Sequence, residues 1–338
     1  MTTDFSYFLQ VIIILIFLNI FFFLFHKKIG QILNLYAQNI NQIININLVP
    51  VIGGVFFFFN ILAFFLLIFF LKINLNTSIL NNEFLLRTKF FFFLSLILIF
   101  CVGLLDDKYN LSYRIKIPIF FIICYLPFSS GQLIIDSLNF IQFNKVINLE
   151  NLSLVFSISS IFLFINIFNM YDGINGQAGI YILVISVYLL IIYKIIILVP
   201  LIITTFFFLL LNLRGMIFLG NNGSYFVSFY LGLILICNYK MNFDFKVEDI
   251  ILITIYPALD TFRLFVTRIF YGKNPFLGDR NHLHHLLLDR FKSIFLVNVI
   301  ASLHIITPLI INLFWGSLTA ILISIFFYIS FLYLHKKN

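Results

Sequence analysis

The chain reads as long apolar runs interrupted by short polar breaks, and the runs are apolar on every side. Residues 56–59 and 90–93 are all phenylalanine. A helix lying between water and a core carries a polar stripe. None is visible here, so the pattern predicts helices that meet lipid or one another. About eleven spans follow, near residues 5–25, 51–71, 89–105, 115–134, 152–168, 177–193, 195–213, 224–238, 248–268, 293–312 and 315–334, most of them close to the length needed to cross a hydrocarbon core. Backbone groups in lipid must be satisfied internally, and runs of this length do so as helices. The fold expected is therefore all-α, a polytopic transmembrane helix bundle of ten or eleven spans. Only Tyr193 and Lys194 part the sixth and seventh runs, which leaves a re-entrant pair open there. The first run lacks a basic leader and a small-residue cleavage site, so it is expected to be a retained span.

Composition agrees with this pattern. Of 338 residues, 62% are hydrophobic and 10% charged, with a mean hydropathy of +1.10, far from a soluble globular chain. No repeat or separable unit stands out, and residues 1–338 are expected to form one integral-membrane domain. Cys101, Cys124 and Cys237 lie in apolar runs without paired spacing, which argues against disulfides and a thiolate metal site. The net charge of +8 would suit nucleic acid. The basic residues are instead scattered beside spans, where membrane lipids are the nearer partner, and no nucleic-acid partner is expected. Alternate connections differ in charge. One side carries seven basic residues, Lys72, Arg87, Lys89, Lys145, Lys194, Lys240 and Lys246, and the other carries thirteen. The positive-inside rule places the richer side in the cytoplasm.

Every unusual polar motif falls on that richer side. Asp106 and Asp107 end an apolar run, where a doubled charge is costly unless it meets a cation. Neighbours on a helix do not share a face, so the two carboxylates should address different partners. A solvated loop pair is the plainer alternative. Asn166, Asn169 and Asp172 recur every third residue and make an oxygen-rich stripe suited to a hard cation such as Mg²⁺, or else an interhelical hydrogen-bond ladder. Gly220, Asn221, Asn222, Gly223 and Ser224 precede a span. Free amides at that helix start would cradle a phosphate, and a plain turn stays open. His282, His284 and His285 lack a Cys, Glu or nearby Asp to complete a tetrahedral zinc set. With Lys273 and Arg280 close by, a diphosphate patch fits them better. Asp260 and Arg263 are expected to form an internal ion pair. No nucleophile elbow or Walker-type loop is present.

Together these segments resemble the polyprenyl-phosphate N-acetylhexosamine-1-phosphate transferase family. The likeness rests on Pro50 with Gly53-Gly54, Asp106-Asp107 followed by Leu111-Ser112 and Arg114-x-Lys116, Asn166-x-x-Asn169-x-x-Asp172-Gly173, Gly220-x-x-Gly223-Ser224, Pro257-x-x-Asp260-Thr261, and residues 279–285, Asp-Arg-Asn-His-Leu-His-His. The histidine segment is similar to the undecaprenyl-phosphate GlcNAc-1-phosphate branch rather than the phospho-MurNAc-pentapeptide branch.

The resemblance implies transfer of a sugar-1-phosphate, such as GlcNAc-1-phosphate, from a UDP-sugar to undecaprenyl phosphate, with UMP leaving. It implies Mg²⁺, with Mn²⁺ as alternative, and a bacterial inner-membrane location with the active site in the cytoplasm. A homodimer stays open. Asp106, Asp107 and Asp172 would be catalytic, and Asn169, Asp172 and Asn221 would serve the metal. Lys116, Asn166, Asn175, Phe218, Gly220, Gly223, Ser224, Arg280, His282, His284 and His285 would bind substrate, with Phe218 stacking on uracil. Three departures mark this chain: Asn221 stands where the family has Asp, Asn175 where bacterial members usually have Asp, and residues 42–47 are uncharged. A non-catalytic lipid-phosphate binder and a transporter are the competing readings. A transporter should carry its charges at mid-membrane, whereas these motifs cluster at one rim.

Overall fold

A computed structural model describes residues 2–38, 48–73, 84–242, 244–272 and 281–336. The apolar runs fold as helices in chain order: α1 (Thr2–Leu33), α2 (Gly53–Phe70), α3 (Leu86–Tyr109), α4 (Tyr113–Tyr125), α5 (Ser153–Tyr171), α6 (Gln177–Tyr193), α7 (Val199–Asn212), α8 (Gly220–Met241), α9 (Val247–Phe270), α11 (Ile294–Trp315) and α12 (Ser317–Lys336). Between α9 and α11 lies a short further helix, α10 (Leu283–Phe291), in a segment whose polarity reads as a loop. Two small antiparallel pairs complete the chain: β1 (Tyr36–Gln38) with β2 (Leu48–Pro50), and the hairpin β3 (Ser137–Phe140) with β4 (Lys145–Asn148). The expected all-helical membrane bundle is what forms. Among the described residues six helices are long and apolar enough to cross a membrane, and three further apolar helices are shorter. The protein is a multi-pass membrane protein.

The differences from expectation have physical reasons. The run at 115–134 gives only a short α4, because the chain tightens into a 3₁₀ turn at Leu126–Phe128, where Pro127 restricts the residue before it and offers no N–H. Around Lys194 two full helices form. Lys194 adopts a left-handed conformation (φ 57°) that ends α6, Pro200 lies at the start of α7, and α7 packs back along α6.

The centre of the bundle is α8. Every residue from Asn222 to Asn238 on it is buried, with α2, α3 and α5 packed along it. Its surroundings are protein rather than lipid, which is why it tolerates Ser224, Ser228 and Asn238, each hydrogen-bonded inside. By contrast α1 turns Phe17, Phe21 and Leu24 outward. One buried amide pair, Asn19 to Asn60, with N···O distances of 2.6 and 3.3 Å, holds α1 to α2.

Helix starts and ends converge at one end of α8. The Gly53 and Gly54 amides donate to the Phe218 and Leu219 carbonyls (3.0 and 3.2 Å), and Phe218 N–H donates to Pro50 O (2.9 Å). This approach is close enough that glycine is required. A Cβ on Gly54 would collide with Asn222, and one on Gly103 of α3 would lie 2.4 Å from Asn222 Cα. We therefore expect Gly103→Ala to push α3 from α8 and cost about 1–3 kcal/mol, as overpacking does. A thermal melt in detergent checks this, and an unchanged midpoint would contradict the packing.

Candidate active site

The two neighbouring aspartates at the end of α3 face different partners, as helix geometry requires. Asp107 lies against the start of α8. Its carboxylate accepts the backbone N–H groups of Asn221 (2.8 Å) and Asn222 (2.9 Å), and a short hydrogen bond from Asn222 Nδ2. A carboxylate at a helix amino-terminus gains from the otherwise unpaired amides and from the helix dipole. Asn222 is fully buried and also donates to Val51 O at 3.2 Å. The Asn221 and Asn222 amides expected to be free for phosphate are thus occupied by Asp107. Gly220 takes φ +76°, and a Cβ there would meet Val51 and Asp107 Oδ2, so the sharp entry into α8 is built for this carboxylate.

Asp106 is almost wholly buried and saturated. It accepts Leu111 N–H (2.8 Å), the Tyr225 hydroxyl (2.8 Å) and Lys116 Nζ (3.0 Å). Lys116, expected on phosphate, is held in this ion pair and keeps a quarter of its side chain exposed. The contacts make Asp106 the anchor that ties the α3–α4 turn and Lys116 to α8. The sequence reading missed Tyr225 and Asn222. A tyrosine one turn into a buried helix was the available signal, because buried tyrosines generally find a partner for the hydroxyl.

From α5, Asn169 Oδ1 accepts the Ser224 hydroxyl at 2.6 Å. The hydrogen-bond ladder is therefore realised at this rung. Asn166 is turned to its own helix and donates to Phe162 O (2.7 Å). Asp172, where α5 ends, differs from both. Among the described residues no side chain donates to its carboxylate. Surrounding protein, and secondarily the Asp107 charge, push its pKa from 3.8 up to about 7. Two mutually repelling carboxylates, one without a donor, beside an amide oxygen make a set of hard oxygens that fits a divalent cation. No cluster of three His, Cys, Asp or Glu side chains suited to a metal occurs among the described residues.

The turn after Asp172 is pinned from several sides. Gly176 takes φ +92° and donates to Asn212 Oδ1 (2.7 Å), and the Asn175 carbonyl accepts Asn298 Nδ2 (2.8 Å). Gly173 lies beneath the ring of His284, where a Cβ would fall on Nε2. His284 is buried, its Nε2 has no hydrogen-bond partner among the described residues, and its pKa is lowered to about 3, first by burial and then by His285 and His282. It therefore enters the site as a neutral ring. Any positive charge for the expected diphosphate patch would therefore have to come from residues other than His284.

His282 caps this arrangement from below. Its Nδ1 lies 2.8 Å from Asp260 Oδ2, and Asp260 also takes the Leu283 amide, Arg263 (2.9 Å) and the Tyr328 hydroxyl (3.0 Å). The expected Asp260–Arg263 ion pair exists, and its further use, fixing the start of α10, was not visible in the sequence. The rings of His284 and His285 lie 4.3 Å apart. Phe218 is partly exposed beside the entry to α8, and Gly223 abuts Gly54. Arg280 lies outside the described residues, as do Lys273 and residues 42–47.

Residues 89–238 match the model of Glycosyl transferase family 4, a stretch that contains Asp106, Asp107, Asn169, Asp172 and Asn221. Three similar proteins each bear the name undecaprenyl-phosphate alpha-N-acetylglucosaminyl 1-phosphate transferase. That of Thermotoga maritima is 28% identical over 196 residues, 58% of this chain and 60% of the relative. That of Escherichia coli is 26% identical over 201 residues, covering 55% and 54%, and that of Salmonella typhi 24% identical over 295 residues, covering 82% and 76%. The matched stretch thus spans less than two thirds of the first two relatives.

The Asp172 shift fixes a sign. Its folded value lies above the free value of 3.8, so its contribution to stability is complete below 3.8 and is lost as pH rises towards 7. In EDTA, the melting midpoint of the parent protein should fall relative to that of Asp172→Asn between pH 5 and pH 8. Parallel curves would contradict the assignment.

Proposed function

We propose that this chain is a member of glycosyl transferase family 4 that transfers an N-acetylhexosamine-1-phosphate, such as GlcNAc-1-phosphate, from a UDP-sugar to undecaprenyl phosphate. The observation that carries this reading is that Asp107 of α3 and Asn169 of α5 both bond to the start of α8, with Asp172 ending α5 three residues after Asn169, on one rim of a membrane bundle. A lipid phosphate is confined to that rim by its tail. Its phosphate oxygen would attack the sugar-bearing β-phosphorus, the bond from that phosphorus to the bridging oxygen would break, and UMP would leave with that oxygen. Such a transfer asks a protein mainly to align reactants and to neutralise oxygen charge. Asp107, Asp172, Asn169 and Asn221 would hold Mg²⁺, or Mn²⁺ in its place, which when bound offsets the charge on the diphosphate.

The chain's own residues divide the remaining work. Asp106 positions Lys116, whose exposed portion presents positive charge to the acceptor phosphate. His284 offers a neutral ring nitrogen over the Asp172–Gly173 turn, and His282 is oriented by Asp260. Phe218 supplies a partly exposed ring for the base. An apolar cavity of about 330 Å³ lies between α5 and α9 above Gly232 of α8, and its lining includes Ile167 and Ala258. Ile167 is five residues before Asp172, so the cavity offers a polyprenyl tail a path from the rim into the membrane.

The rim that holds the site carries the richer set of basic residues, which supports a cytoplasmic active site in a bacterial inner membrane. A cysteine placed at His285 should resist a membrane-impermeant thiol reagent in intact cells and react after lysis. Labelling from outside would reverse the orientation.

The direct test is UMP release by purified protein given undecaprenyl phosphate and a panel of UDP-sugars. Release should require lipid phosphate and a divalent cation, and should fall at least a hundredfold in Asp172→Asn. Equal release in EDTA would remove the metal from the account, and full activity in the variant would return Asp172 to a structural role.

Asn221 adds a sharper expectation. Its carbonyl oxygen can face a cation, but it lacks the charge that helps Mg²⁺ shed water. Asn221→Asp should therefore lower the Mg²⁺ concentration that gives half-maximal release. An unchanged metal dependence would place the cation elsewhere, and no release by either form would favour the non-catalytic reading.

A further inference from the structure

The half of the bundle away from the site contains a larger cavity, of about 780 Å³, between α2 and α3 with Phe226 of α8 as its floor. This volume lies within the range of ligand pockets. Its walls are apolar, and Phe69 and Leu86 on its lip are 76% and 85% exposed. In a bilayer such surface meets lipid chains, so the cavity is a groove that opens sideways into the membrane.

Charge and closure set the groove apart from an ordinary crevice. Lys72, just beyond the last turn of α2, and Lys89, in the first turns of α3, line the same end of it, and Arg87 is two residues from Lys89. This cluster lies on the side of the membrane that is poorer in basic residues, where cations are otherwise spread singly along the chain. The opposite end is shut. Phe58 stacks on Phe100 with ring centroids 4.0 Å apart, and Phe226 meets them edge-on at 5.5 and 6.0 Å. This aromatic plug lies between the groove and the start of α2 at the site.

We propose that the α2–α3 groove binds an anionic phospholipid from the leaflet opposite the site. Its acyl chains lie along Phe65, Phe93 and Ile97, and its headgroup phosphate meets Lys72 and Lys89. Basic residues at a lipid-facing helix end favour anionic headgroups. The tail of the acceptor fits less well, because its phosphate belongs at the other rim and the plug closes the way between them. Occupancy would brace α2 and α3, which together hold Gly54, Gly103 and Asp107 against α8.

Native mass spectrometry of the purified full chain tests this without reference to turnover, so the result stands whether or not the transfer reaction does. The protein is titrated with phosphatidylglycerol and with phosphatidylcholine of equal chain length. Phosphatidylglycerol should be retained preferentially, by roughly 5-fold for each lysine, and Lys72→Gln with Lys89→Gln should abolish the preference while the melting midpoint confirms folding. Ile97→Trp, which fills the groove, should reduce retention of both lipids. Equal retention by the parent protein, a preference that survives the double substitution, or displacement of the glycerolipid by equimolar undecaprenyl phosphate would each overturn the proposal.

Discussion

The rest of the site depends on the carboxylate of Asp107 lying against the first amides of α8. Two backbone N–H groups and the Asn222 side chain converge on it, and hydrogen bonds to a charged acceptor are worth about 1.5–3 kcal/mol each. That interaction sets the register of α3 against α8. It also requires glycine where the backbones meet, at Gly54, Gly103, Gly220 and Gly223. Burial first, and then the neighbouring Asp107, hold the Asp172 pKa high. A stabilising contact and an unresolved repulsion thus share one carboxylate.

The arrangement around this point separates holding from reacting. Asp106 has three protein partners and positions Lys116, while Asp260 has four and fixes the start of α10. Asp172 has no side-chain donor among the described residues. A half-buried carboxylate without a donor is costly to ionise, and binding something that supplies positive charge would offset that cost. In the proposed reaction that partner would be a divalent cation with the diphosphate it accompanies.

Helices were the most legible part of the chain, because apolar runs about 20 residues long have few other outcomes in lipid. Asp106 and Asp107 were correctly expected to diverge, since helical spacing alone decides it. What stayed hidden depended on contacts distant in sequence. Nothing near Asn221 shows that its amide is occupied by a residue 114 positions away. Burial, which makes His284 neutral, is likewise set by the Gly173 turn packed against it. The helix α10 was obscured because His282, His284 and His285 read as polar, although His282 and His284 are buried.

The central claim is that the Asp107–Asp172 pair is completed by a divalent cation, and Mn²⁺ binding followed by electron paramagnetic resonance on the purified protein tests it most directly. The account predicts one tightly held Mn²⁺ per chain, competed by Mg²⁺, with affinity lost in Asp172→Asn and recovered at higher pH in the parent protein as the carboxyl ionises. Binding that is indifferent to Asp172→Asn and to Asp107→Asn would contradict it.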